Sequence, residues 1–297
     1  MSKRSSGKIL DIVLAFRPKT LTAALVPIVV GTSLLKMLNL PVHWWISELA
    51  LAASFFIQIG TNLVNDASDF KKGADTDSRI GPRRITQAGV LTYGQVMGLA
   101  TLCFLGAIAC GVPLVMQGGW PIFWIGLFSV LCGYAYTAGP FPLAYKGLGD
   151  LFVVLFFGLI AVAGLIYLQT LEWRIEALIL GLQVGLHCAV LIAVNNLRDI
   201  EGDTLVHKKT LPVRFGKSFG RIEIAVLCFT PFLFLPYWLH NGGSAFCLLP
   251  LGSIPLAVKL VKGVFATEPS PEYNRFLGQA AGLHLVFALL LAVGFTL

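Results

Sequence analysis

Apolar runs of about the ~20 residues that a helix needs to cross a bilayer recur from one end of this chain to the other. They lie at roughly 20–38, 44–64, 93–113, 119–137, 149–169, 175–196, 222–240, 243–261 and 276–296. Nine such runs leave no stretch long enough for a hydrophilic domain. Only 12% of the 297 residues are charged, against ~25% in a soluble domain. The expected fold is therefore all-α and polytopic, with nine transmembrane helices in one membrane domain spanning 1–297. The basic N-terminus, MSKRSSGKIL, leads through RPKT straight into a full-length run. No small-residue cleavage site follows a short apolar core, so it reads as retained rather than as a signal peptide.

The placement of charge sets the orientation. With the N-terminus inside, 20 of the 22 Lys and Arg fall on the inner side, leaving Lys36 and Arg174 outside. Positive charge marks the cytoplasmic face, so a cell (inner or plasma) membrane location is expected, with the C-terminus outside. The net charge of +7 is accounted for by this topology, and no nucleic-acid partner is expected. The six cysteines form no CxxC pair and do not cluster with His, so they read as packing residues.

Two acidic clusters break the apolar pattern, NLVNDASDFKKGADTD at 62–77 and NNLRDIEGD at 195–203. They end the second and sixth runs, which hints at an internal repeat of helix groups. Asn62, Asp66 and Asp69 share one helix face, and so do Asn195, Asp199 and Asp203. Four carboxylates brought together repel one another unless a hard divalent cation takes them as oxygen ligands, and Mg²⁺ characteristically adds phosphate oxygens. Asp66, Asp69, Asp199 and Asp203 are thus the candidate metal ligands and catalytic acids. Among the basic residues that follow, Arg79, Arg83 and Lys208 are the leading candidates for phosphate contacts. Asp75 and Asp77 either reach the metal through a loop or are solvated. Asp150 either faces the cavity or caps a helix N-terminus. His187 reads as a packed or hydrogen-bonded residue. Tyr134, Tyr136 and Phe141 read as interfacial anchors or as wall, where an aromatic face would also stabilise a carbocation.

At these residues the chain resembles the UbiA superfamily of intramembrane aromatic prenyltransferases, and within it the 1,4-dihydroxy-2-naphthoate polyprenyltransferase branch. The resemblance rests on RPKT (17–20), NLVNDASDFKKGADTDSRIGPRRITQAG (62–89), AYTAGPFPLAYKGLGD (135–150) and NNLRDIEGD with KKTLPVRFG (195–216). It implies a UbiA-like helix bundle around a central cavity, with Mg²⁺ and the diphosphate of an allylic polyprenyl donor held by Asn62, Asn65, Asp66, Asp69, Asn195, Asp199 and Asp203. Arg79, Arg83 and Lys208 would then lie near the diphosphate, and Arg17 and Tyr136 near the substrates. The expected reaction transfers a polyprenyl group to 1,4-dihydroxy-2-naphthoate with release of diphosphate and CO₂, giving demethylmenaquinol. The superfamily spacing NDxxDxxxD holds at Asn65, Asp66 and Asp69, but Gly73 stands at the last position and the next acid is Asp75. A related enzyme acting on 4-hydroxybenzoate or homogentisate is the alternative. A secondary transporter is the remote one, since transporters place coupling acids near the midplane and not at the cytoplasmic edge.

Overall fold

The computed structural model describes residues 3–73, 84–139 and 142–297. Among these the regular structure is helical throughout. In chain order the helices are α1 (Lys3–Ala15), α2 (Pro18–Met37), α3 (Trp44–Lys71) and α4 (Tyr93–Ala135). Then come α5 (Gly149–Thr170), α6 (Ile175–Arg198) and the short α7 (Ile200–Leu205) and α8 (Leu211–Phe215). The last three are α9 (Lys217–His240), α10 (Ala245–Ala266) and α11 (Tyr273–Thr296). Eight of the described helices are long and apolar enough to cross a membrane.

The ninth pass comes from α4. Its 43 residues would run ~64 Å if straight, twice the hydrocarbon thickness. Gly119 interrupts it with φ 66°, ψ −151°, a conformation open to glycine and strained for a side chain. The two halves fold back there. A Cβ built on Gly133 would sit 3.5 Å from the ring of Phe104, far back in the first half. The sequence pattern places an outer loop at 114–118; the structure instead keeps Leu114–Gly118 helical and turns the chain at Gly119 alone. A residue without a side chain at a positive φ does the work of a loop. Thr92 starts the helix with a capping box, its Oγ1 accepting from the Gln95 N–H while Gln95 returns the bond to the Thr92 N–H.

Two further interruptions lie at prolines. α9 tightens to a 3₁₀ turn at Thr230–Phe234 around Pro231, and α10 begins with one at Ala245–Ser253 around Pro250. α5 carries a π-turn at Leu155–Ile160, opposite which α6 presents Gly181 and Gly185. This small-xxx-small pair lets the two backbones touch. A Cβ on Gly158 would lie 2.3 Å from the Gly181 carbonyl oxygen and 2.6 Å from Gly185 Cα.

The two ends of the bundle differ. One end carries both acidic clusters together with links from Lys72 to the Thr137 carbonyl, Arg214 to the Lys146 carbonyl and Lys217 to Glu268. The other end holds Lys36 over the Trp44 ring, the Arg174–Glu172 pair and a buried polar knot. In that knot the Gln169 amide exchanges hydrogen bonds with the His43 backbone and reaches Ser47 Oγ, which also meets Thr32. The main core, around Leu34, Val184, Trp238 and Phe287, lies among α2, α6, α9 and α11.

Candidate active site

The first cluster occupies the last three turns of α3. Asn62 donates to the Phe16 carbonyl and to Thr20 Oγ1, tying α3 to the α1–α2 corner. That corner turns at Arg17, whose φ of 54° is rare for a side-chain-bearing residue. The Arg17 guanidinium donates to Asn65 Oδ1 at 2.8 Å, and Arg84 donates to the same oxygen at 2.6 Å. Asp66 is buried, and each of its oxygens accepts a backbone N–H, from Ile85 and Thr86, both at 3.0 Å. It therefore anchors the returning loop. Asp69 pairs with Arg84 at 3.0 Å and accepts from Tyr145 Oη at 3.1 Å. Lys72 lies 4.4 Å from the Tyr145 ring, and burial lowers its pKa against the opposing pull of Asp69.

The second cluster straddles a break. α6 ends at Arg198, and Asp199 (φ −93°, ψ 9°) sits between α6 and α7. Even so the turn is kept, because the Asp199 N–H bonds the Asn195 carbonyl and the Asp203 N–H bonds that of Asp199. The predicted one-sided Asn195–Asp199–Asp203 row thus survives across the joint from the end of α6 to the short α7. Asp203 is buried and accepts from Lys208 Nζ at 3.2 Å. Burial raises its pKa to about 6, Lys208 opposes this, and the Asp199 and Asp69 charges add to the rise. Asp69 acts on Asp203 across the gap, so the two clusters face one space.

The segment after α4 joins them. Tyr145 bonds Asp69 through its hydroxyl and Lys209 through its carbonyl. Asp150, the second residue of α5, accepts from Asn196 at 3.3 Å. Of the two roles open to it in the sequence, the structure places it at the polar gap as well as in a helix first turn. Tyr136 lies between the clusters; burial raises its phenol pKa, reinforced by Asp150, Asp69 and Asp203 and opposed by Arg17.

Tyr136 also lines a cavity of about 570 Å³ that runs away from the acids between α2, α3, both halves of α4 and α5. Its walls are almost wholly apolar, with Pro27, Ile57, Phe152, Phe156 and Phe157 among them. The arrangement is a charged pocket opening onto an apolar channel within a multi-pass membrane bundle.

In this structure the carboxylates do not meet as four bare charges, as the sequence suggests. Each has a counterpart: loop amides for Asp66, Arg84 for Asp69, Arg198 for Asp199 and Lys208 for Asp203. Among the described residues no three Asp, Glu, His or Cys side chains gather closely enough to hold a metal unaided. The donor set still fits Mg²⁺, which binds through one or two carboxylates plus phosphate oxygens and waters. Among the described residues nothing donates a hydrogen bond to the buried Oδ2 of Asp203 or the buried Oδ1 of Asp150, so both oxygens keep lone pairs for a ligand. Arg79, Arg83, Asp75, Asp77 and Phe141 lie outside the described residues.

Sequence reasoning counts Lys72 and Arg84 among the basic residues after the first cluster but ranks them behind Arg79, Arg83 and Lys208, and it passes over Arg198 and Tyr145. Arg198 stands inside the NNLRD motif itself, and Tyr145 inside AYTAGPFPLAYKG. The basic residues resembled those that any cytoplasmic face carries, and only their partners set them apart. His187, by contrast, is a buried packing residue as expected, its Nε2 2.9 Å from the Cys228 carbonyl and its ring edge-on to Phe287.

The fold and this pocket define an integral membrane protein built around an acid-flanked, apolar cleft. The chain belongs to the UbiA prenyltransferase family, which it matches over residues 24–295. It is 35% identical to the 1,4-dihydroxy-2-naphthoate octaprenyltransferase of Mycobacterium tuberculosis, covering 93% of each chain. It is 34% identical to the enzyme of the same name from Escherichia coli, covering 93% of this chain and 92% of the relative. The fold is shared with a UbiA homolog from Aeropyrum pernix (TM-score 0.71, 13% identity, 92% and 97% covered). It is shared too with one from Archaeoglobus fulgidus bound to DMAPP and Mg²⁺ (TM-score 0.63, 15% identity, 95% and 99% covered).

Proposed function

We propose that this chain transfers a polyprenyl group from an allylic polyprenyl diphosphate to 1,4-dihydroxy-2-naphthoate, releasing diphosphate and CO₂ in menaquinone biosynthesis. The observation that carries the reading is the junction at Tyr136, where a charged pocket meets an apolar cavity of about 570 Å³. One end suits a diphosphate and the other a prenyl chain, and the junction is where an allylic C–O bond would lie. The curated relatives named above support the choice of acceptor.

Asp69 and Asp203, with Asp66 and Asp199 behind them, would hold Mg²⁺, and Asn62, Asn65 and Asn195 would complete the polar wall. When bound, the ion neutralises the diphosphate and makes it a better leaving group. Lys208, Arg84 and Lys72 add positive charge around the departing oxygens. The apolar walls keep water from the prenyl carbon, so the electron-rich ring of the acceptor captures it. Tyr136, Phe152, Phe156 and Phe157 present aromatic faces to the positive charge that develops there. The ring carbon bonds to the prenyl carbon, and the carboxylate leaves as CO₂.

The test is purified protein with a labelled polyprenyl diphosphate, Mg²⁺ and each of 1,4-dihydroxy-2-naphthoate, 4-hydroxybenzoate and homogentisate. Prenylation with CO₂ release is expected from the first alone, abolished by EDTA and restored by Mg²⁺. Turnover of another acceptor instead would reassign the substrate, and full activity in chelator would remove the metal.

In the orientation proposed here, the acid-bearing end faces the cytoplasm of a cell (inner or plasma) membrane, as positive charge on that end favours. On a background with the native cysteines replaced, Ser218→Cys should label with an impermeant thiol reagent only from the cytoplasmic side, and Glu172→Cys only from the opposite side. Reversed labelling would invert the topology.

A further inference from the structure

We propose that Arg198 is a positioning residue for the second acidic cluster, holding Asp199 and Asn195 in register and fastening them to the last helix through Asn274. Its guanidinium is 1% exposed and makes four hydrogen bonds. Nε donates to Asp199 Oδ1 and Nη2 to Asp199 Oδ2, both at 2.7 Å, so the carboxylate is gripped side-on. Nη2 also reaches Asn195 Oδ1 and Nη1 reaches Asn274 Oδ1, each at 2.8 Å.

Asp199 needs such a grip because it lies outside regular helix, at the joint between α6 and α7. Its backbone keeps the i→i−4 bonds on either side of the break, but its φ and ψ depart from the helix there. In the first cluster the matching task falls to backbone, since the Ile85 and Thr86 amides hold both oxygens of Asp66. Among the described residues no backbone amide donates to the Asp199 carboxylate, and the planar fork of Arg198, with the Asn195 side-chain amide at 3.4 Å, takes that place. A lysine supplies the same charge at a single point and cannot span both oxygens and two amides at once. The partner on α11 matters equally. Asn274 stands in the first turn of α11, beside the buried Tyr273, whose hydroxyl donates to the Val264 and Thr267 carbonyls. Arg198 thus ties the acid to a rigid part of the bundle.

The inference rests on the reading of Asp199 as part of a Mg²⁺–diphosphate site. The probe is the full chain in nanodiscs with geranyl S-thiolodiphosphate, a donor that resists ionisation, and the readout is the Mg²⁺ concentration that half-saturates its binding. Outer residues that orient metal ligands typically shift metal affinity 10–100-fold, and Arg198→Lys should raise the half-saturating Mg²⁺ by at least about tenfold. Asn274→Ala leaves the Arg198–Asp199 fork and the charges untouched and should raise it by a smaller factor. A merely structural arginine would lower the ligand-free thermal midpoint and leave the Mg²⁺ requirement alone. Wild-type Mg²⁺ half-saturation in folded Arg198→Lys would overturn the proposal. If that variant does not fold, an unchanged requirement in Asn274→Ala overturns it. Asp199→Asn separates the two claims. Should it bind with the wild-type Mg²⁺ dependence, the site reading itself fails; should it lose that dependence while Arg198→Lys keeps it, only the positioning role falls.

Discussion

Asp69→Ala and Asp203→Ala will each slow prenyl transfer by about a thousandfold or more, roughly 4 kcal/mol of transition-state stabilisation. The double variant will be scarcely slower than either. Asp69 closes the first cluster beside Arg84 and Tyr145, and Asp203 closes the second beside Lys208. They face each other closely enough for the charge on Asp69 to raise the pKa of Asp203. If both serve one diphosphate, removing either leaves the leaving group poorly neutralised, and removing the second takes away little that still functions. Groups that act as a unit are non-additive in this way. Asp69→Ala has a second consequence, because it removes a carboxylate that pairs with the buried Arg84, and weakening a buried ion pair lowers stability as well as rate. Asp69→Asn is the control: it fills the same space and still accepts from Tyr145, so it should fold better than the alanine while remaining inactive. Measured rates that multiply in the double variant would show two independent sites, and near-wild-type rates in either single variant would move the chemistry elsewhere.

Gly158→Leu should abolish the folded protein. The Gly158 Cα faces the Gly181 carbonyl and Gly185 Cα so closely that a first side-chain carbon would lie 2.3 Å from the oxygen. Both obstacles are backbone, so no rotamer change relieves them, and α5 and α6 must move apart. Overpacking costs about 1–3 kcal/mol where side chains can shift, and more is expected here. α6 lies in the main core and carries the second cluster at its end, so the separation would also displace Asp199 and Asp203. Size-exclusion chromatography of detergent-solubilised protein should show aggregate in place of the wild-type peak. Gly164→Leu, at a position whose nearest neighbour is the flexible tip of Ile125, should elute as wild type. A monodisperse Gly158→Leu protein of normal thermal stability would mean that the crossing is looser than drawn.

The G-x-x-x-G spacing of Gly181 and Gly185 stands in the sequence, yet many such pairs occur in membrane helices by chance. The partner, Gly158, could be recognised only after α5 and α6 were crossed. The acid faces were easier. Asn62, Asp66 and Asp69 lie at helical spacing at the end of an apolar run, and the structure puts them on one helix as expected. The second row was legible in outline but not in its break at Asp199, which no residue type announces.

The sequence by itself determined the nine passes, the end of the bundle that carries the charge, and the two acid rows. These follow from transfer free energy and helical period, which accumulate residue by residue and need no knowledge of remote neighbours. The tertiary structure alone decided which cation meets which carboxylate. It chose Arg84 for Asp69, joined Tyr145 to Asp69 across 76 residues and Arg198 to Asn274 across another 76. It also turned α4 on Gly119 and opened the cavity beneath Tyr136. A hydrogen bond weakens steeply within a fraction of an ångström and a few tens of degrees, so its partners are set by how whole helices pack, and the order of residues along the chain does not encode that directly.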